Sequence, residues 1–289
     1  MTENEEERST GVASSGRRGF LAGAGTVAGL AMLGNASALD APEPTTVDAL
    51  AANDIDGPLP YEPLDAEAAI SIGRGEYYDG KHCGEGAFRA IVTLLREKVG
   101  GPWNDVPTTA VYWGAGGGGG WAAVCGSVIG SNSAISLVHG RSGTTMKLVD
   151  ELNRWYTQHP FPQYTPPGDS GGITKELPTS RSGSILCHVS VTEWCDTNGY
   201  ASGSDERAER CSRVAGETAA HAIELLNAEH AGNFDMVADS TDPMTVDGEK
   251  GCRSCHYKGD NAAAGQYTRG KMECMQCHGG APHMPSSLK

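Results

Sequence analysis

The sequence predicts a mainly α protein: a helical, cysteine-rich domain over residues 76–235, followed by a short, loop-rich C-terminal segment, 236–289. Three observations lead there. Apolar residues recur at three- and four-residue spacing in several stretches upstream of residue 235. Pro and Gly gather between those stretches rather than inside them. The last segment has few Leu, Ile or Phe, so it cannot bury enough side chain to fold alone, yet it holds four of the nine cysteines.

Residues 1–38 are predicted to be a targeting segment. Arg17-Arg18 precede Phe20-Leu21, an apolar Gly/Ala-rich run extends to Leu33, and Ala36-Ser37-Ala38 offers a small-residue cleavage site. Paired arginines before such a run point to twin-arginine export, hence a periplasmic or extracytoplasmic location. The run is too short for a comfortable membrane span, and no span is expected in the mature chain. Residues 39–75, rich in Pro, Ala and Asp, are predicted to be an extended arm.

Within 76–235, Phe88, Ile91, Leu94 and Leu95 share one helical face after Cys83-Gly84, and Met146, Leu148, Val149, Leu152 and Trp155 share another. The clearest helix begins at Ser204, with Asp205 and Glu206 in its first turn. Its stripe is Cys211, Val214, Ala215, Thr218, Ala222, Leu225 and Leu226. Residues 159–185 carry five prolines and form a long loop. Thr108–Trp113 is strand-like.

Composition narrows the function. Net charge is −14, which disfavours nucleic acid, since phosphate binding needs clustered Lys and Arg. It suits docking to a basic redox protein. Aromatics are 6% of the chain and glycines number 40, so a prosthetic group is one way to supply missing apolar bulk. The glycine run Gly114–Gly120 matches G-x-G-x-x-G formally, but no acid follows at dinucleotide spacing. There is no Gly-Lys-Ser/Thr for a phosphate loop.

The C-terminal cysteines lie in Cys252-Arg253-Ser254-Cys255-His256 and Cys274-Met275-Gln276-Cys277-His278. Each is C-x-x-C-H, the pattern for covalent haem: two thiols add to the porphyrin vinyls, and the adjacent His256 or His278 reaches the iron. Two covalent haems c would also supply the core this segment lacks. The competing reading is zinc, with Cys252, Cys255, Cys274 and Cys277 as a Cys₄ site.

Five cysteines remain: Cys83, Cys125, Cys187, Cys195 and Cys211. Disulfides would leave one thiol over. An iron–sulfur cluster would use four. Cys83 sits at a helix start, where a thiolate is favoured, and Cys125 follows the glycine run, which lets backbone approach closely. The export route suits a cluster inserted before translocation, because it carries folded proteins. Both readings stay open on these residues.

Gly80-Lys81-His82-Cys83, the glycine run leading to Cys125-Gly126, Cys187-His188 with Trp194-Cys195, and Cys211 together resemble the C-GCAxxG-C-C family of redox-active proteins. With two C-x-x-C-H motifs added, the pattern is similar to the split-Soret cytochromes c within that family, over about residues 75–280. One departure is Gly114-Ala115 where the family has Gly-Cys. The resemblance implies a helical homodimer, two stacked bis-His haems per subunit, distal ligation linked to the dimer interface, and an iron–sulfur centre of the [2Fe–2S] kind. His82 and His188, each beside a cysteine in these segments, are the candidate distal ligands; His283 competes locally, with Met284 beside it. The expected function is electron transfer with protein redox partners. The alternative is a haem-dependent oxidoreductase with an open iron site. No nucleophilic triad or carboxylate pair can be picked out.

Overall fold

A computed structural model describes residues 57–235, 260–264, 266 and 271. The chain divides into two compact units, Met1–Ala52 and Asn53–Lys289, and every described residue belongs to the second. The twin-arginine segment, residues 39–56 of the arm, both C-x-x-C-H motifs and His283 lie outside the described residues. Among the described residues there are six α-helices and no strand, so the fold is mainly α.

Helix α1 (Ala66–Glu76) starts at Asp65, whose Oδ1 accepts from the backbone N–H groups of Glu67 and Ala68 at 3.0 and 3.2 Å. This corrects the expectation of an extended arm to residue 75. Asp65 caps the helix, and Ala69 and Gly73 give it a small-residue face to bury, so tertiary packing stabilises a short helix that composition alone does not. A kinked turn, Tyr77–Lys81, leads into α2 (His82–Lys98), which buries Phe88, Ile91 and Leu95 as its stripe predicts.

Thr108–Gly114 forms a 3₁₀ turn, not the strand its β-branched run suggests. A strand needs a partner for its backbone, and no strand exists among the described residues. Next come α3 (Gly126–His139), α4 (Gly143–Gln158), α5 (Cys187–Asn198) and α6 (Asp205–His230). Ser142 caps α4 and Ser204 caps α6, each accepting from the N–H three residues on. On α4, Leu148 and Leu152 are fully buried, while Met146, the first residue of the expected stripe, is 66% exposed.

Helix α6 is the central element, about 39 Å long at 1.5 Å per residue. Helices α1, α2, α3 and α4 all pack against it. Small residues let the backbones touch. A Cβ at Gly216 would lie 2.2 Å from the Ile70 carbonyl oxygen, and one at Gly73 would lie 2.8 Å from the Gly216 Cα. The α2–α3 crossing is equally close, with a Cβ at Gly130 placed 2.2 Å from the Gly84 carbonyl oxygen. Gly73, Gly130 and Gly216 thus serve the contacts where helices meet.

The long loop between α4 and α5 is anchored by charged side chains rather than by a ladder. Glu209 and Arg213 are fully buried and Arg74 nearly so. Arg74 holds both oxygens of Glu209 at 2.8 and 3.1 Å, Arg213 Nε donates to Oε1 at 2.6 Å, and the Tyr78 hydroxyl donates to Oε2 at 2.6 Å. The remaining guanidinium N–H groups reach the carbonyls of Ser170, Gly171, Tyr164, Ile173 and Lys175. Glu217 accepts from the N–H groups of Gln163 and Tyr164, both at 2.9 Å. Lys271 Nζ meets Asp150 Oδ1 on α4 at 2.6 Å. No described helix is long and apolar enough to cross a membrane.

Two outcomes are expected. Gly130→Ala should lose about 3 kcal/mol in urea unfolding, because the added methyl collides with backbone, which cannot rotate away. An unchanged midpoint would contradict the crossing. Burial opposes the charge of Glu209, but the hydrogen bonds from Arg74, Tyr78 and Arg213 outweigh it and hold its carboxyl below the usual range. Its contribution is therefore present above the unfolded pKa of about 4.3 and is lost as pH falls through the folded value. Glu209→Gln should cost about 3–5 kcal/mol at pH 7 and flatten that acid loss, read from urea titrations between pH 3 and 7.

Candidate metal centre

Three of the five upstream cysteines stand at helix N-termini. Cys83 is the second residue of α2, Cys125 is the N-cap of α3 and Cys187 is the first residue of α5. Such positions carry unpaired backbone N–H groups and the positive ends of helix dipoles, which favour a thiolate. Cys211 comes from the second turn of α6, and Cys195 from the far half of α5.

The glycine loop brings these starts together. Gly116 to Gly120 all have φ between +58° and +97°, a run that L side chains cannot follow without strain. It coils on itself through Gly119 N–H to Trp113 O and Ala123 N–H to Gly117 O, both 2.8 Å. The chain leaving it pairs with the segment before α5. Val124 and Leu186 form an antiparallel bridge, Cys125 N–H donates to Ile185 O at 2.8 Å and Cys187 N–H donates to Ala123 O at 2.6 Å. Cys125 and Cys187 are thereby held on adjacent strand-like backbones. Glycine also makes room for the sulfur. A Cβ at Gly126 would lie 2.5 Å from Cys83 Sγ, and one at Gly117 would lie 2.7 Å from Cys187 Cβ.

Electrostatics show which thiols share the site. Burial, then repulsion from Cys125, Cys211 and Cys187, pushes the Cys83 thiol well above its ordinary value. Cys187 is pushed up to about 12, by burial first and then by Cys125 and Cys211. Cys195 is raised by burial and then by Cys211 alone among the cysteines. The structure thus groups Cys83, Cys125, Cys187 and Cys211, with Cys195 at the margin. None of the five forms a disulfide. Among the described residues no three His, Cys, Asp or Glu side chains are gathered tightly enough to hold a single ion.

Arginines and tyrosines complete the surroundings, and the sequence reading overlooked them. Arg210 is 1% exposed. Its NH2 donates to Ser190 Oγ at 2.7 Å, and its Nε has no partner. Burial opposes its charge, but the nearness of Cys211, Tyr156 and Cys125 more than offsets this and raises its pKa. Arg207 likewise faces Cys211, Tyr77 and Cys195. The Tyr156 hydroxyl shares a 3.0 Å hydrogen bond with Ser190 Oγ. A signal existed in the sequence. Arg207 and Arg210 precede Cys211 and Val214 by four and so continue the buried stripe of α6, where a charge demands a partner.

A thiol-rich, cationic group of side chains at three helix N-termini fits an anionic iron–sulfur group by its donor set and by the orphaned Nε of Arg210. The candidate haem ligands lie at its rim. His82 is exposed at the start of α2, its ring 5.9 Å from Tyr77 and 6.1 Å from Tyr112. His188 is exposed on α5, and its backbone N–H donates to Ala122 O at 3.0 Å. Around them, Tyr78, Tyr112, Trp113 and Trp121 are exposed, Trp121 by 89%.

Residues 86–225 match the family described as "Putative redox-active protein (C_GCAxxG_C_C)". A curated relative, the split-Soret cytochrome c of Desulfovibrio desulfuricans, is 34% identical over 279 residues, 92% of this chain and 95% of the relative. A solved structure, described as a novel iron centre in the split-Soret cytochrome c of the same organism, aligns with a TM-score of 0.70 and 31% identity. It covers 82% of this chain and 95% of that one.

In the metal-depleted chain, Cys211 should react with a thiol reagent at neutral pH well before Cys83 and Cys125, which are at most 8% exposed. Equal rates for these three, read by mass spectrometry of labelled peptides, would contradict this burial.

Proposed function

The chain belongs to the split-Soret cytochrome c family, and from that premise we propose that it is an exported dihaem electron carrier with a [2Fe–2S] centre in its helical body. Family membership carries the coarser part: a redox role in electron transfer and an iron-containing cofactor. The observation that carries the cluster is the grouping of Cys83, Cys125 and Cys187 at three converging helix starts with Cys211 from the second turn of α6. Their four thiolates would hold it, with Cys195 outside the set. When bound, the haems and the cluster supply one-electron chemistry, and the protein's part is to bind them, exclude water and set their potentials.

Two haems c would be attached through Cys252 with Cys255 and Cys274 with Cys277, with His256 and His278 as proximal ligands. His82 and His188 are the proposed distal ligands; both are exposed enough for an iron to reach. Ligation by two histidines leaves no open iron site, which favours a carrier over an oxidoreductase. The exposed aromatics Tyr112, Trp113 and Trp121 suit the core of a homodimer interface. The twin-arginine segment directs the protein to the periplasm.

Purified protein should contain about four irons and two acid-labile sulfides per chain, with sharp low-spin α and β bands after dithionite that carbon monoxide leaves unchanged. Iron at two per chain removes the cluster. A carbon monoxide shift favours the oxidoreductase. Cys274→Ser with Cys277→Ser should halve the haem absorbance and leave the labile sulfide intact.

A further inference from the structure

Helix α6 carries two fully buried arginines one turn apart, and they are satisfied in different ways. Arg213 donates to the Glu209 carboxylate and to three backbone carbonyls. Arg210 has a single hydroxyl partner, Ser190 Oγ, and an Nε with nothing to donate to. The nearest acid at helical spacing, Glu206, is engaged by Lys175 at 3.5 Å. A buried guanidinium stays charged, so it needs an anion, and the groups facing it are Cys211, Cys125 and Tyr156. The Tyr156 hydroxyl is already paired with Ser190 Oγ at 3.0 Å and carries no charge to offer. Sulfur is left as the counterion.

We propose that Arg210 is the counterion of the iron–sulfur centre, its guanidinium N–H groups donating to sulfur at Cys211 and Cys125 and raising the reduction potential. The inference rests on the cluster reading above. Reduction adds one electron, and hence one negative charge, to a group already anionic. A fixed positive charge in a dry site stabilises the reduced form more than the oxidised form. Ser190, shared by Arg210 and Tyr156, sets the plane of the guanidinium. Arg210 is thus a positioning residue, acting on the centre through its ligands.

Redox titration followed by EPR on the full-length holoprotein tests this. Arg210→Met should keep both haems and the cluster iron while shifting the one-electron equilibrium at least tenfold toward the oxidised form, about 59 mV. Arg210→Lys should recover part of the shift, because it restores the charge without the planar fork. Arg210→Met with full labile sulfide and an unchanged midpoint overturns the proposal. Should that variant lose the cluster or fail to fold, the wild-type protein decides. Grown on ¹⁵N-arginine, its reduced centre should show a guanidinium nitrogen coupling in pulsed EPR, and absence of that coupling overturns the proposal. Wild-type protein with haem iron alone would instead sink the cluster reading itself, before any variant is made.

Discussion

At the crossing of α2 and α3, backbone touches backbone. Gly126 and Gly130 leave no room for a methyl group between the two helices, and Gly126 faces Cys83 Sγ directly. This close approach sets the distance between the first turns of α2 and α3, and so between Cys83 and Cys125. With ordinary side chains at the crossing the axes would separate to the usual 8–10 Å or more, and the two thiols would part. The same device joins α1 to α6 at Gly73 and Gly216. A chain poor in aromatics therefore closes its core by bringing helices nearer, not by filling space between them.

Charge is distributed on α6 with the same economy. Glu209 lies between Arg74 and Arg213, and this network ties α1, α6 and the long loop into one body. Its charges and hydrogen bonds are satisfied from within the fold. One residue further on, Arg210 donates to the Ser190 hydroxyl and has no carboxylate. The satisfied and the under-satisfied charge thus sit on adjacent residues of one helix, because successive side chains point about 100° apart. The stable half supports the other: the loop held by Arg213 leads into the Ile185–Leu186 backbone that positions Cys125 and Cys187.

Burial of the thiols has a chemical consequence. Without metal, low polarity favours neutral sulfur, as the raised values at Cys83 and Cys187 show. With metal, the same low polarity strengthens each interaction with Arg210 and with the helix N-termini. His82, His188 and the exposed aromatics lie close to these cysteines in sequence, His82 beside Cys83 and His188 beside Cys187.

The helices over 82–98, 143–158 and 205–230 were legible in the sequence, because apolar spacing and the Ser204 cap are local signals. So was the family, because cysteine spacings and the glycine run are linear features. Helix α1 was not legible, since its stability comes from the α6 surface, and Thr108–Trp113 misled because a strand depends on a partner elsewhere. By itself the sequence determined the two C-x-x-C-H motifs, a matter of neighbours along the chain. Only the tertiary structure decided that four of five distant cysteines lie together, that Cys195 stands aside, and that Arg210 is buried with an unpartnered Nε. Those facts depend on glycine contacts between helices far apart in sequence, where a few tenths of an ångström decide what meets.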